Sequence, residues 1–446
     1  MIVMMTEEAT SSCLEFQRSF AHHRRPIPAD PPITNNLQIK VQESSCSDAD
    51  TSSQSQPSSS SNYLQYLVQL NGRHRTLHSV RDSEEISAGS SKAVSSVCQK
   101  TVSLKTGRVA SLALSKGVLY SGSEGNCITM WQQPNLEKIL ECGSGHGIVK
   151  CLLVAGHKMF STHQDNKVRV WEISKCHLPG NKPVPYATLP TIKNYLTALL
   201  LPQNIVQVRR HKTSFWIKHI DNISALATGH NDLLYTGSWD RSVKVWKISS
   251  LKCLESFKAH DDAVNAIIIS KSGHVYTGSA DAKVKIWERN SKKHMLFSVL
   301  EGHSSSVNAL AISPDESLLY SASSDRRILI WEREESARHM SHLGTLRGHR
   351  QAVLSLASSA DLLCSGSTDK TIRVWRRNED NFHQCIWVLE GHAGPVKALS
   401  ISQDTENAWF VYSGSLDGQI KEWWLSLSSK ICFAGEESFY SGKTTS

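Results

Sequence analysis

The sequence predicts an all-β protein: a seven-bladed β-propeller that follows a disordered, Ser-rich N-terminal tail. Three observations lead there. A hairpin of one kind recurs along the chain, as in Leu233 to Trp246 (L-L-Y-T-G-S-W-D-R-S-V-K-V-W). Its tryptophans, 131, 171, 246, 287, 331, 375 and 423, follow one another at steps of 40, 75, 41, 44, 44 and 48. Residues 1–60 lack sustained periodicity.

The hairpin is an apolar strand, a turn built on Gly237, Ser238 and Asp240, and a second strand in which Val243 and Val245 alternate with polar residues. That is period-two patterning. The six-residue step from Asp240 to Trp246 returns at Asp165, Asp281, Asp325, Asp369 and Asp417, and Gly125 to Trp131 keeps the spacing with Gly in the Asp place. In one unit, Cys253 to His260 forms a strand, followed by Val264–Ile269, Val275–Ser279 and Val284–Trp287. Four short strands per unit of about 40 residues describe a propeller blade. A histidine precedes the inner strand at 146, 219, 260, 303, 349 and 392; in the first unit Lys105 stands there.

The expected organisation is a tail at 1–92, a propeller at 93–428 with an insertion at 173–214 between blades 2 and 3, and a short C-terminal tail at 429–446. In the tail, ten of the eighteen residues from Ser44 to Ser61 are Ser, too little apolar surface to offset the entropy of ordering. Tyr63–Leu70 is a short apolar piece within it. After Trp423 too little chain remains for an outer strand, whereas Cys98–Leu104 matches an outer strand that has no blade of its own. Residues 96–104 should therefore complete the last blade and remove an open edge. The long step from Trp171 to Trp246 requires the insertion. Its outer strand is either Tyr186–Leu189 or Ser214–Lys218, and the second directly precedes His219. That choice would put the insertion on the face opposite the Asp turns. Its basic run, Arg209, Arg210, His211 and Lys212, is a candidate contact for an acidic partner.

Composition limits function. The net charge is +8, and the first 100 residues hold 9 Lys+Arg against 10 Asp+Glu, so the basic excess lies on the blades. A basic field favours acidic partners, RNA or anionic membrane, or simply solubility. The eleven cysteines form no C-x-x-C pair, which speaks for a reducing compartment, cytoplasm or nucleus, and against a zinc or disulfide framework. There is no apolar run of spanning length and no signal-peptide pattern at Met1–Met5. No phosphate-binding loop, H-E-x-x-H or nucleophile elbow is present, so neither catalysis, metal nor cofactor is expected. The recurring His, Asp and Ser/Thr match a hydrolytic triad by residue type, but one catalytic site has no use for six copies.

These residues resemble the WD40 repeat family over about residues 95–425, although no repeat ends in the Trp-Asp dipeptide. The resemblance implies a hydrogen-bonded tetrad in each complete blade: His219, Thr236, Asp240 and Trp246; His260, Thr277, Asp281 and Trp287; His303, Ser321, Asp325 and Trp331; His349, Ser365, Asp369 and Trp375; His392, Ser413, Asp417 and Trp423. The insertion (A-T-L-P-T-I-K-N-Y-L … L-L-L-P-Q-N-I-V-Q-V-R-R-H-K), with S-W-D-R-S-V-K-V-W and C-L-E-S-F-K-A-H-D-D-A-V-N-A-I, is similar to the Jingubang-type WD40 proteins of plants. That implies a regulatory scaffold acting through partner proteins, transcription regulators among them, with roles around pollen and growth control. The alternatives are the substrate-recognition subunit of a ubiquitin ligase and, with less support, an RNA-binding propeller; the propeller is expected to be monomeric. The residue before each Asp sits at a turn tip, and together these should ring one mouth of the channel: Glu124, Gln164, Trp239, Ala280, Ser324, Thr368 and Leu416. Propellers of this family bind proteins on that face. Trp239 is the foremost candidate, because an aromatic at a turn tip adds nothing to the turn and Trp is enriched in binding hot spots.

Overall fold

The computed structural model describes residues 94–105, 107–143, 147–174, 182–200, 205–209, 212–333 and 340–427, with the backbone alone at 94–95, 205–209 and 212. The tails called at 1–92 and 429–446 lie outside the described residues, as do His146, Arg210 and His211. Among the described residues there are seven four-stranded antiparallel sheets, each one blade, and a separate two-stranded hairpin. One short helix is also present.

Burial within a blade follows from where each strand sits. The second strand, such as Leu233–Ser238, is buried at every residue because neighbouring blades cover both its faces. The outer strand Lys252–Lys258 buries Cys253 and leaves most of its other residues half or fully exposed. Adjacent blades share their cores: Tyr235, Val243 and Val245 of blade 3 pack with Val264, Ile267 and Trp287 of blade 4. The hairpin glycine is set by this approach. A Cβ at Gly237 would stand 2.7 Å from Ile267 Cδ1 and 2.9 Å from Val264 Cγ1, and one at Gly414 would stand 2.5 Å from Val109 Cγ1. The glycine is therefore kept for the close approach of the neighbouring blade's side chains.

The ring closes between the ends of the blade region. Val94–Ser103 pairs antiparallel with Gln419–Leu427, with Val97 opposite Trp424 and Val102 opposite Ile420. It supplies the fourth strand of blade 7, as the spacing predicted. Leu104 N–H bonds Gly418 O at 2.9 Å, and Lys421 Nζ reaches Thr101 Oγ1 at 3.0 Å.

The insertion corrects the sequence reading. The outer strand of blade 2 is Val184–Leu189, paired with Val168–Glu172, and not Ser214–Lys218. Pro185 lies opposite Trp171 on this outer edge, where a missing N–H is tolerated. Lys212–Phe215 instead pairs with Ile205–Arg209. The excursion thus runs from 190 to 222 rather than 173 to 214. It also leaves and returns at the Asp-turn end, since Leu189 lies opposite Val168 and Ile223 opposite Ser238. An outer strand ends on that side, so a segment following it begins there.

Between those points the insertion runs down the flank between blades 2 and 3. Thr191 caps the helix Ile192–Leu199 by accepting the Asn194 N–H at 3.2 Å. Asn194 Nδ2 donates at 2.8 Å to Leu251 O, in a hairpin turn at the other end of blade 3. Ala198 and Ile217 are buried with Leu189, Leu234 and Trp246, filling the wedge that two radial blades leave.

Removing residues 1–90 should leave the melting temperature nearly unchanged, whereas removing 1–105 takes away the closing strand and exposes a sheet edge. Cooperative unfolding should be lost, or aggregation appear, in the second protein alone. Equal melting of the two, followed by circular dichroism, would refute the closure as a stability element.

Candidate interaction face

Each complete blade carries one relay of hydrogen bonds. In blade 3 the Trp246 indole N–H donates to Thr236 Oγ1 at 3.1 Å, and Thr236 Oγ1 lies 2.7 Å from His219 Nε2. His219 Nδ1 lies 2.9 Å from Asp240 Oδ2. An indole can only donate, so the hydroxyl's own proton goes to Nε2 and Nδ1–H donates to the carboxylate. The same relay stands in blade 4 (Trp287, Thr277, His260, Asp281), blade 5 (Trp331, Ser321, His303, Asp325), blade 6 (Trp375, Ser365, His349, Asp369) and blade 7 (Trp423, Ser413, His392, Asp417). Every link in these four is 2.8 to 3.0 Å long.

The carboxylate does more than end the relay. Asp240 accepts from Ile220 N–H, on the chain entering the blade, and from Ser242 N–H, in its own turn, both at 2.9 Å. Asp281, Asp325, Asp369 and Asp417 bind the equivalent pairs. Each aspartate thus fixes its turn to the connection between blades.

Blades 1 and 2 depart from this. Blade 1 keeps only the indole–hydroxyl link, Trp131 to Ser121 at 2.8 Å. In blade 2 the hydroxyl of Ser161 meets His163 Nε2 at 2.8 Å. His163 is wholly buried and holds the place of Ser238, two residues before the Asp. Asp165 is gripped by Arg169 through two bonds, 2.7 and 3.1 Å. Sequence reasoning assigned His146 to this blade and passed over His163, though F-S-T-H-Q-D shows a histidine where other blades have serine.

Titration follows the geometry. Burial pushes the His219 and His392 imidazoles below their ordinary range, against the pull of Asp240 and Asp417. Burial alone would raise the Asp325 carboxyl, but the His303 hydrogen bond and charge and the Arg327 and Ser304 N–H groups bring it down to about 2. Asp240, Asp281, Asp369 and Asp417 are likewise held low by their imidazoles and N–H donors against burial.

The seven turn-tip residues occupy one equivalent place. The backbone N–H of Glu124, Gln164, Trp239, Ala280, Ser324, Thr368 and Leu416 donates, in turn, to the carbonyl of Arg108, Ile148, Asn222, Ala263, Ser306, Ala352 and Pro395, at 2.9 to 3.2 Å. Each acceptor leads directly into an innermost strand, so the tips collect around the channel mouth. Gln164 is exposed and the other six are half-buried. Glu124 pairs with Arg108 at 3.6 Å, and Ser324 Oγ accepts from Asn308 at 3.0 Å. Trp239 has no hydrogen bond from its indole and no ring contact among the described residues. One residue into the innermost strands, Asn265 and Asn308 donate to the next blade's Val307 and Val353 carbonyls at 2.9 and 2.8 Å. Lys150 and Lys397 hold that place in blades 2 and 7; burial lowers both, and the charge of Lys150 lowers Lys397 further. Neither lysine stands out in the sequence, where each is one cation among many.

Five segments, 209–247, 251–288, 295–332, 340–376 and 383–423, match the family model described as WD domain, G-beta repeat. These five segments match WD40 repeats. Four of the matched segments begin on the outer strand of one blade and end within the next, so sequence repeat and structural blade are offset by one strand. A stretch of 170 residues is 26% identical to WD repeat-containing protein pop2 of Schizosaccharomyces pombe, covering 32% of this chain and 21% of that protein. The chain thus spans about a fifth of that relative's length.

WD40 propellers are generally non-catalytic interaction platforms, and the relays here are sealed within blades. The His219 and Asp240 side chains are 1% and 7% exposed, so the imidazole has no substrate-facing edge. Among the described residues no group of three or more His, Cys, Asp or Glu could hold a metal. No helix among them is long and apolar enough to cross a membrane.

Asp281→Ala should cost roughly 1–3 kcal/mol, because it strands buried donors in a complete relay. Glu124→Ala, in the blade without one, should cost under about 1 kcal/mol, the scale of a surface ion pair. Urea midpoints measure both, and equal shifts would contradict the stapling role.

The pH dependence carries a definite sign. His219 and His392 titrate lower in the folded chain, so their contribution is complete above about pH 6.5 and falls as pH drops below it. The aspartate contributions are complete above about pH 3.9 and disappear as pH falls through the folded values. Melting temperature against pH should therefore be flat above neutrality, decline gently below it and fall steeply below about pH 4. A melting temperature that rises on acidification to about pH 5 would exclude this assignment.

Proposed function

We propose that this chain is a non-catalytic scaffold that holds a partner protein on the Asp-turn face of its WD40 propeller. The observation that carries the reading is Trp239: a half-buried indole at the channel mouth, unbonded and held on a turn pinned at 3.0 Å through its own N–H. A rigidly mounted aromatic with an unused N–H gives a partner an apolar anchor and one directed donor. Leu416 adds a second apolar site on the rim, and Lys150 and Lys397 make the mouth basic, which suits a partner segment with acidic residues. The finer role is a regulatory one of the Jingubang type in plants, around growth or pollen development, with transcription regulators among the partners. It would act in cytoplasm or nucleus, as a monomeric propeller. What supports this finer role is the sequence resemblance of the insertion.

Trp239→Ala should weaken capture of endogenous partners by about 2 kcal/mol or more while leaving thermal stability nearly intact. Pull-down with mass spectrometry, run beside a thermal melt, measures both. Undiminished capture with a lowered melting point would make Trp239 a packing residue and remove this face as the site. Recovery of ligase subunits or RNA in place of regulators would redirect the finer role.

A further inference from the structure

On the face opposite the Asp turns, three successive blades carry an arginine two residues after the relay tryptophan: Arg289, Arg333 and Arg377. Two of them reach back to the preceding blade. Arg377 binds the Asp315 carboxylate with Nη2 at 2.7 Å and Ser317 Oγ with Nη1 at 3.1 Å. Arg333 Nη2 donates to Tyr276 Oη at 3.2 Å, His274 Nδ1 at 3.3 Å and Ser272 Oγ at 3.4 Å.

Arg289 has the same place between blades 3 and 4 and makes no hydrogen bond or ion pair among the described residues. Its Nε is buried and unpaired. Beside it opens a cavity of about 330 Å³, lined by His230, Asn231, Tyr235, His274, Glu288 and Arg289 among others. Asp315 stands five residues before Tyr320; the residue five before Tyr235 is His230, which is exposed. The nearby Asp232 is taken by its own blade, accepting Ser249 N–H at 2.8 Å and lying 3.8 Å from Lys247. Tyr235 is engaged with His294 Nε2 at 3.1 Å, and His294 Nδ1 with Glu255 at 2.6 Å. The cavity lining holds one carboxylate, Glu288, the strand neighbour of Arg289, but no ion pair joins the two, and no carboxylate fills the place that Asp315 fills at the Arg377 seam.

We propose that the cavity between blades 3 and 4 is a carboxylate-binding site, filled by an acidic side chain of a bound protein in the place that Asp315 fills two blades on. An unpaired guanidinium, with Nε and terminal N–H groups in one plane, matches the two oxygens of a carboxylate. His274 also lines the cavity. Its Nδ1 receives Arg333 and the Ser272 hydroxyl, so the neutral ring carries its proton on Nε2 as a further donor. This site lies on the other face from the Trp239 rim and stands or falls independently of it.

The test follows the arginine Nε–H signals of the full-length chain by nitrogen-15 NMR, with Arg289→Met identifying the signal. Titration with acetate should move the Arg289 signal saturably and leave the exposed Arg326 signal in place. Acetyl-Gly-Asp-Gly-amide should bind at least about tenfold more tightly than to Arg289→Met, a difference of about 1.4 kcal/mol. His230→Asp should supply the carboxylate internally, moving the signal without acetate and abolishing the response. No saturable shift, or one shared with Arg326, overturns the site. Tighter binding of inorganic phosphate than of acetate overturns the carboxylate assignment. Tighter binding of acetyl-Gly-Gly-Gly with a free C-terminus than of the Asp peptide overturns the side-chain source.

Discussion

The whole ring depends on a strand borrowed across 320 residues. Blades of this kind bury their middle strands only between neighbours, so a row of them would end in two uncovered faces. Closing the row removes both, but the last joint must hold against the cost of bringing the chain ends together, a cost that grows slowly with loop length. The joint here is therefore built from more than one kind of contact. The strand Val94–Ser103 completes the blade 7 ladder, and Lys421 ties it to Thr101. Val109, Leu119 and Trp131 of blade 1 share a core with Tyr412 and Ile420 of blade 7. Glu422, fully buried, accepts the Asn135 N–H of blade 1 through both carboxylate oxygens, at 3.3 and 3.2 Å. Burial raises the Glu422 carboxyl above its ordinary range.

With the ring closed, the relays decide how rigid each arc is. Blades 3 to 7 carry all four groups; blade 2 substitutes His163 and an Arg169–Asp165 grip; blade 1 retains one bond. The poorest relay thus sits beside the closure, where Glu422 and the shared core compensate. The rewired blade 2 sits beside the insertion, whose Ile217 is buried in one cluster with Phe160, Val168 and Val170 of blade 2 and with Leu234 and Trp246 of blade 3. Where the internal staple is weak, a contact from outside the blade has taken over. Within the complete relays each buried polar group finds a partner, as the cost of an orphaned donor in a dry interior requires.

How much of this could be read beforehand depended on whether a feature repeats. The Trp spacing, the Asp six residues earlier and the preceding His recur often enough to give blade number, relay membership and closing strand. The insertion occurs once, so Val184–Leu189 and Ser214–Lys218 could be separated only by pairing, and the proline-bearing segment won because an outer edge tolerates Pro185. The hairpin glycine was seen, but its reason lay in the next blade's valine, which no local pattern shows. His163 was hidden because a serine position was not expected to hold the imidazole. The W-E-R and W-R-R triplets at Trp287, Trp331 and Trp375 were in plain view; their meaning needed the preceding blade's turn in space.

These departures from the repeat are also where function can reside. Seven near-identical blades give a partner no way to choose an orientation on the ring. The relays, being common to most blades, confer rigidity without identity. Identity comes from what differs at equivalent places: Trp239 where other blades place Glu, Gln, Ala, Ser, Thr or Leu; Lys150 and Lys397 where blades 4 and 5 place Asn; Arg289 unpaired where Arg377 is paired. Trp239 and the Arg289 cavity both involve blade 3, one at each end of it, and the insertion lies along the flank that joins those ends. Blade 3 has a complete relay and carries the packed insertion, so both features rest on a rigid mount. A binding anchor loses least free energy to ordering when its support is already fixed.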